Sequence, residues 1–261
     1  MFDPVMTIKS GQFHHWEEAG GTLCAVNGSD AFFLKEGELT RGDEKACGIF
    51  FDEGHDYERA ARLVQSADDL KDLAPYLPLR ILKQDPWEAI VGFILSSNNN
   101  LFRIQKSVLD LSKNYGEKLA EAEGLTAYSL PAPEVMAGLS SDALRALGAG
   151  YRDKYLIETA RLVAAGKFDL HRPRELAYNE AKTYLMQLSG VGPKVADCIL
   201  LFGYGKKDAF PVDVWIARAM ARFGDFKNGQ AASDYATSRF GDDAGYIQQL
   251  LFLSEREKRK L

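Results

Sequence analysis

A lysine and an aspartate 19 residues apart have the types and local settings that nucleophilic chemistry on a sugar would need. Lys194 stands in LSGVGPKVADC (188–198), directly after a glycine-rich stretch and a proline. Proline is favoured at the first helical position, because the N–H it lacks would be unpaired there anyway. Pro193 therefore opens a helix, and SGVG is the turn of a helical hairpin. Gly190 and Gly192 permit positive φ and a side-chain-free approach to another molecule. The free N–H groups of such a turn, beside a helix N-terminus, make an anion site that a backbone phosphate of nucleic acid would fill. Lys194 then lies at the positive end of the helix dipole. One reading is a solvated surface lysine. The other is a catalytic amine: the dipole disfavours the ammonium, lowers the pKa, and frees an amine to attack carbon and pass to a Schiff base.

Asp213, in FPVDVWIARAMARFG (210–224), precedes an apolar-periodic run and fits a helix N-cap. As a bare cap it needs no further role. Aimed at the same cleft as Lys194, its anion would stabilise an oxocarbenium-like centre on a sugar and assist proton transfer.

These residues need elements to hold them. Residues 1–75 contain short apolar or alternating runs, TLCAVNG, AFFLKEG, ELTRG and CGIFFD, bounded by Gly, Asp and Asn; they predict an antiparallel sheet with tight turns. From residue 56 the period becomes helical. Helices are predicted at 86–97, 100–115, 133–138, 141–148, 151–165, 178–188, 193–203, 213–223, 229–240 and 242–256. The fold class is α+β, with a β-rich part over 1–78 and a mainly helical part over 79–261 whose hairpin is 178–203.

The net charge of −5 hides an asymmetry. Residues 1–78 carry 7 Lys and Arg against 15 Asp and Glu, and the rest carries 25 against 22. Phosphate contacts are expected from the second part. Three scattered cysteines form neither a disulfide framework nor a metal set, and no four-cysteine iron–sulfur cluster is available. No run reaches the roughly 18 to 20 apolar residues of a membrane span, and MFDPVMTIKSG lacks the features of a signal peptide. The expected setting is cytoplasmic and reducing, without a membrane partner.

The hairpin with GVGPKVAD, followed by PVDV, resembles the helix-hairpin-helix DNA glycosylases, and within them the 8-oxoguanine DNA glycosylase/AP-lyase branch. SGQFHHW (10–16), QDPWEAIVGFILSSNNNLFRI (84–104), LGAGYRDKYL (147–156) and AGYIQQLLF (244–252) are similar to that family's segments in the same order. The resemblance implies base-excision repair on duplex DNA, with the damaged nucleotide turned out of the stack. Lys194 would be the nucleophile at C1′ and then the Schiff-base lysine for β-elimination, and Asp213 would stabilise the transition state. The Gly11 carbonyl would accept the N7–H of 8-oxoguanine, a proton that normal guanine lacks. Cys198 and Phe252 would sandwich the base, and Gln248 would bond its Watson–Crick edge. Asn98, Arg103 and Arg152 would read the cytosine left opposite, with Tyr151 wedged into the gap. Gly190, Gly192 and Trp215 would meet phosphates.

The resemblance requires no cofactor, and implies a structural monovalent cation on the main-chain carbonyls of Met186, Leu188 and Val191. It also implies a monomer, bound to the nucleoid when on DNA. One residue departs from the family pattern: Trp215 replaces a histidine, so an indole N–H remains but no titrating group. Glu255 would be the partner carboxylate of that histidine, with its role here in doubt. Two other readings stay open: a glycosylase for another lesion, and a non-enzymatic module that grips phosphates.

Overall fold

A computed structural model describes residues 2–258. In chain order, helix α1 (Pro4–Lys9) leads into strands β1 (Trp16–Ala19), β2 (Thr22–Asn27), β3 (Asp30–Lys35) and β4 (Glu38–Arg41), then α2 (Glu44–Phe50) and α3 (Glu58–Ser66). Next come α4 (Pro86–Ser96), α5 (Leu101–Tyr115), a hairpin of β5 (Lys118–Ala122) and β6 (Leu125–Tyr128), α6 (Pro133–Ala137), α7 (Ser141–Ala146) and α8 (Asp153–Ala164). The chain ends with α9 (Arg172–Glu175), α10 (Tyr178–Leu185), α11 (Pro193–Tyr204), α12 (Val214–Met220), α13 (Gly229–Phe240) and α14 (Ala244–Glu257).

The first four strands form an antiparallel meander in sequence order. Gly20 and Gly21 make its first turn with φ of +58° and +80°, the mirror-image geometry that matches strand twist and that glycine adopts without strain. Period-two alternation gives the sheet two apolar faces. Leu23, Ala25, Phe32 and Leu34 pack on α1 and α2 through Ile8, Phe50 and Phe51. Cys24, Val26 and Phe33 face the other way, onto Leu125 and Ala127 of β6.

Several details differ from the sequence-based expectation, among them helices α1 and α9, which no predicted helix covered. CGIFFD is helical, not extended: most of it lies in α2, whose N-terminus Asp43 caps by accepting from Ala46 N–H at 2.7 Å. A short apolar run is compatible with strand and helix alike, and the cap decides. The β5–β6 hairpin was not anticipated inside the helical part; the second face of the meander supplies the surface that stabilises it. Residues 151 and 152, expected to open a helix, belong instead to a separate 3-10 turn, Gly150–Arg152, before α8.

The main core surrounds α4, whose residues Pro86–Leu95 are all buried, and α11, buried from Val195 to Gly203. Asp85 starts α4 by accepting from the N–H groups of Trp87 and Glu88. With both helices fixed in the core, the first turn of α11 is a rigid mount for Lys194.

Candidate active site

A cavity of about 450 Å³ opens between the N-terminal loop, α5, α11, α12 and α14. Gly11, Lys194, Cys198, Asp213, Gln248 and Phe252 all line it, although they come from separate stretches of sequence. Trp215 lines it as well.

Lys194 is the second residue of α11, and Cys198, one turn later, faces the same cavity. Burial favours the neutral amine of Lys194, but the Cys198 thiol in hydrogen-bond contact and the nearby Asp213 carboxylate favour the ammonium and prevail. The lysine pKa therefore lies above its ordinary value, which corrects the lowering expected from the dipole alone. Burial pushes the Cys198 thiol up to about 11 against the opposing pull of Lys194. A thiol so reluctant to ionise meets Lys194 as a neutral sulfur acceptor. Asp213 caps α12: its Oδ1 accepts from the N–H groups of Trp215 and Ile216, both at 2.9 Å. Capping and facing Lys194 are compatible, since the cap occupies one oxygen.

The opposite wall is the loop Ser10–His15, pinned along its length. Arg256 donates from Nη1 to the Ser10 carbonyl at 2.9 Å and from Nη2 to the Lys9 carbonyl at 3.1 Å. Gln12 donates to the Arg80 carbonyl and accepts from Leu82 N–H, while Gln84 donates to the Gln12 carbonyl. His15 Nδ1 meets the Glu88 carboxyl at 3.0 Å, and its Nε2 meets Ser112 Oγ at 2.9 Å. Between these anchors Gly11 has φ +97°, and a β-carbon there would lie 3.0 Å from the Phe252 ring and 2.9 Å from Arg256. Only glycine fits. Among the described residues no N–H donates to the Gly11 carbonyl.

Gln248 is buried, and its Nε2 donates to the Pro211 carbonyl at 3.0 Å. That bond fixes the amide and leaves Oε1 buried with no hydrogen-bond partner among the described residues. Buried acceptors are normally satisfied, so this orphan, on a residue of the cavity wall, is an acceptor that a ligand donor could satisfy on reaching it.

A second groove runs beside the first, lined by Ser97, Asn98, Arg103, Lys194, Asp213 and Trp215 among others. The three asparagines divide their work. Asn100 caps α5 by accepting from Arg103 N–H, and Asn99 donates to the Leu95 carbonyl. Asn98 is exposed, with a left-handed φ of +50°. Arg103 is also exposed and forms no ion pair among the described residues.

Arg152 is not free. Its guanidinium is buried and donates to the carbonyls of Ser97, Asn98 and Ala149. It thereby holds the turn that displays Asn98. Tyr151 is 51% exposed, and its hydroxyl donates to the Ser97 carbonyl. The guanidinium of Arg218 lies 5.6 Å from the Trp215 ring centre. Glu255 pairs with Lys258 at 2.7 Å and lies 3.9 Å from Arg222, outside both grooves.

At the hairpin, Gly190 has φ +81° and Gly192 does not: its φ is −87°, extended, and it precedes α11 as N-cap. Positive φ, expected for both, is needed only at Gly190. The Leu188 carbonyl accepts from Val191 N–H, whereas those of Met186 and Val191 accept no bond among the described residues.

Sequence reasoning passed over several residues that build this site. His14 and Arg256 line the cavity, and Phe102, 74% exposed, stands at its rim. No spacing rule indicates which way a histidine in an irregular loop faces. The four-residue step from Phe252 to Arg256 on α14 could have flagged the arginine.

The profile of the HhH-GPD superfamily of base excision DNA repair proteins matches residues 91–238, more than half of the chain, and the chain belongs to that family. Among solved structures, a Clostridium acetobutylicum 8-oxoguanine glycosylase/lyase, in complex with double-stranded DNA containing cytosine opposite 8-oxoG, is similar with a TM-score of 0.91. The two are 29% identical, with 99% of this chain and 93% of that chain covered. MBOgg1 in complex with a low-affinity DNA ligand is similar with a TM-score of 0.92 and 30% identity, again over 99% and 93% of the two chains. A probable N-glycosylase/DNA lyase of Methanothermobacter thermautotrophicus is 35% identical over 66% of this chain. The chain spans 61% of that relative's length, less than two thirds.

Proposed function

We propose that the protein removes 8-oxoguanine from duplex DNA, with cytosine as the opposite base, and then nicks the strand. The observation that carries this reading is the convergence of Lys194, Asp213, Gly11, Cys198, Gln248 and Phe252 on one cavity, with no donor to the Gly11 carbonyl or to Gln248 Oε1 among the described residues. The extruded base lies between Cys198 and Phe252. It donates N7–H to Gly11 and Watson–Crick N–H groups to Gln248. Normal guanine has a lone pair at N7 and would face the carbonyl with it, leaving buried acceptors unpaired.

Lys194 Nζ attacks C1′ as the C1′–N9 bond breaks, and the base leaves with the electron pair and takes up a proton. Asp213 stabilises the positive charge that develops on the sugar. Opening of the C1′–O4′ bond gives a Schiff base. Loss of a 2′ proton then expels the 3′ phosphate. Because Lys194 favours the ammonium, it must first pass on a proton.

Asn98 and Arg103 of the second groove, with Arg152 behind the Asn98 turn, take the cytosine, with Tyr151 in the gap. Gly190, Gly192 and the Trp215 indole hold phosphates. The carbonyls of Met186, Leu188 and Val191 would hold a monovalent cation, since hard cations take carbonyl oxygens. A cytoplasmic, nucleoid-bound monomer fits this role; among the described residues no helix is long and apolar enough to cross a membrane.

Borohydride trapping on a duplex with 8-oxoguanine opposite cytosine tests the reading. A covalent adduct is expected with the native protein and none with Lys194→Gln. An adduct that persists in the variant would overturn the nucleophile assignment.

A further inference from the structure

His14 sits in the wall of the base cavity, 6% exposed, three residues after Gly11 in the pinned loop. One ring edge packs against α4: a β-carbon at Gly92 would come within 3.4 Å of Cδ2, and the Phe93 ring meets the imidazole edge-on at 5.9 Å. Neither ring nitrogen has a hydrogen-bond partner among the described residues, and the remainder of the ring faces the cavity. Burial and the nearby Lys194 charge hold its pKa at about 3, so it is a neutral imidazole with one donor and one acceptor.

The surrounding wall includes Phe93, Ile104, Phe202 and Phe252, where a phenylalanine would pack as well. A base that fills the cavity expels the water that would otherwise satisfy the imidazole. With no partner on the base, His14 would then oppose binding by about 1–3 kcal/mol. A histidine is useful here only if the occupant offers it a partner.

The purine ring order indicates which atom that is. On the proposed reading, N7 faces Gly11 and the sugar on N9 faces Lys194. C8 lies between N7 and N9, so its oxygen projects toward the wall between Gly11 and Lys194. His14 follows Gly11 in the same loop and feels the charge of Lys194. We propose that His14 donates a ring N–H to the C8 carbonyl oxygen of the extruded 8-oxoguanine. Gly11 and His14 then read the two adjacent groups that oxidation creates, one with an acceptor and one with a donor.

Single-turnover base removal tests this with native protein, His14→Phe and His14→Gln, on duplexes carrying 8-oxoguanine or 8-thioguanine, whose C8 sulfur is a weaker acceptor. His14→Phe should excise 8-oxoguanine about tenfold more slowly, the loss of roughly one hydrogen bond, and His14→Gln should recover part of that rate. The native protein should slow on the thio substrate, whereas His14→Phe should treat the two substrates alike. Melting temperatures of both variants near the native value would exclude a folding defect. An equal oxo-to-thio ratio in native and His14→Phe proteins would overturn the contact, as would an unchanged rate on 8-oxoguanine. Failure of the native protein to excise 8-oxoguanine would instead overturn the parent reading, and this proposal with it.

Discussion

The reactive lysine illustrates how far one residue can be read from its own neighbourhood. Its type and its place after GVGP are legible in the sequence, and so is the capping position of Asp213. The direction of its pKa shift is not, because the groups that prevail over burial are Cys198, one turn on, and Asp213, at the start of another helix. With the folded pKa above the ordinary value near 10.5, the ammonium state is stabilised. That contribution is fully present below the ordinary value and is lost as pH rises through the raised one. In protein carrying carbon-13-methylated lysines, the Lys194 resonance should titrate above the mean of the others; titration below it would refute the charge balance described. Asp213→Asn should keep the cap, since asparagine accepts the same N–H bonds. A melting temperature within a few degrees of native is expected, with base removal slowed by a hundredfold or more; parallel loss of both would make Asp213 purely structural. Arg152 carries a further lesson: to read a base it must trade carbonyl partners for base partners. Such an exchange contributes to base choice more than to affinity.

At the scale of elements, the hairpin separates two glycines that look equivalent in sequence. A β-carbon on Gly190 would lie 2.7 Å from the Tyr155 ring, at a φ of +81°. One on Gly192 would meet nothing within 4 Å. Gly190→Ala should therefore lose about 1–3 kcal/mol in urea denaturation. Gly192→Ala should fold like the native protein and weaken DNA binding in fluorescence anisotropy, because the new methyl points where a phosphate would dock. Equal stability of the two variants would contradict the geometry. Long amphipathic helices such as α5 were readable from periodicity, as were the strands β2 and β3. The run CGIFFD was not, because so short an apolar run serves either period until Asp43 is recognised as a cap. The β5–β6 hairpin was hidden because its stability comes from a sheet face formed some hundred residues earlier in the chain.

At the scale of the molecule, the sheet and the helices are locked together by buried polar contacts. Asp52, at the end of α2, pairs with Lys207 at 2.6 Å and Lys83 at 2.7 Å and accepts from the Tyr57 hydroxyl at 2.9 Å. Burial alone would raise its pKa, but these partners outweigh it and bring the pKa below the ordinary carboxylate value. Its stabilisation is thus complete above that ordinary value and disappears as pH falls through the lowered one. Asp52→Asn should lose about 2 kcal/mol near pH 7, with the gap to native closing below about pH 4 in urea melts. A gap that is constant with pH would show that charge is not what Asp52 contributes. The α+β division was legible from the change of period near residue 56. These long-range pairs were not, since nothing in the sequence couples residue 52 to 207.

The pinned loop Ser10–His15 has one more consequence. In the proposed reading, damaged and intact guanine are told apart by which end of a single amide, the one holding the Gly11 oxygen, points at the base. Rotating that amide by half a turn would offer an N–H instead, a good partner for the N7 of ordinary guanine. The same lysine would then be pointed at healthy chromosomes. The anchors from α14, α5, α4 and the Gln84 side chain serve as a guard on the genome: they hold one peptide plane where turning over is forbidden.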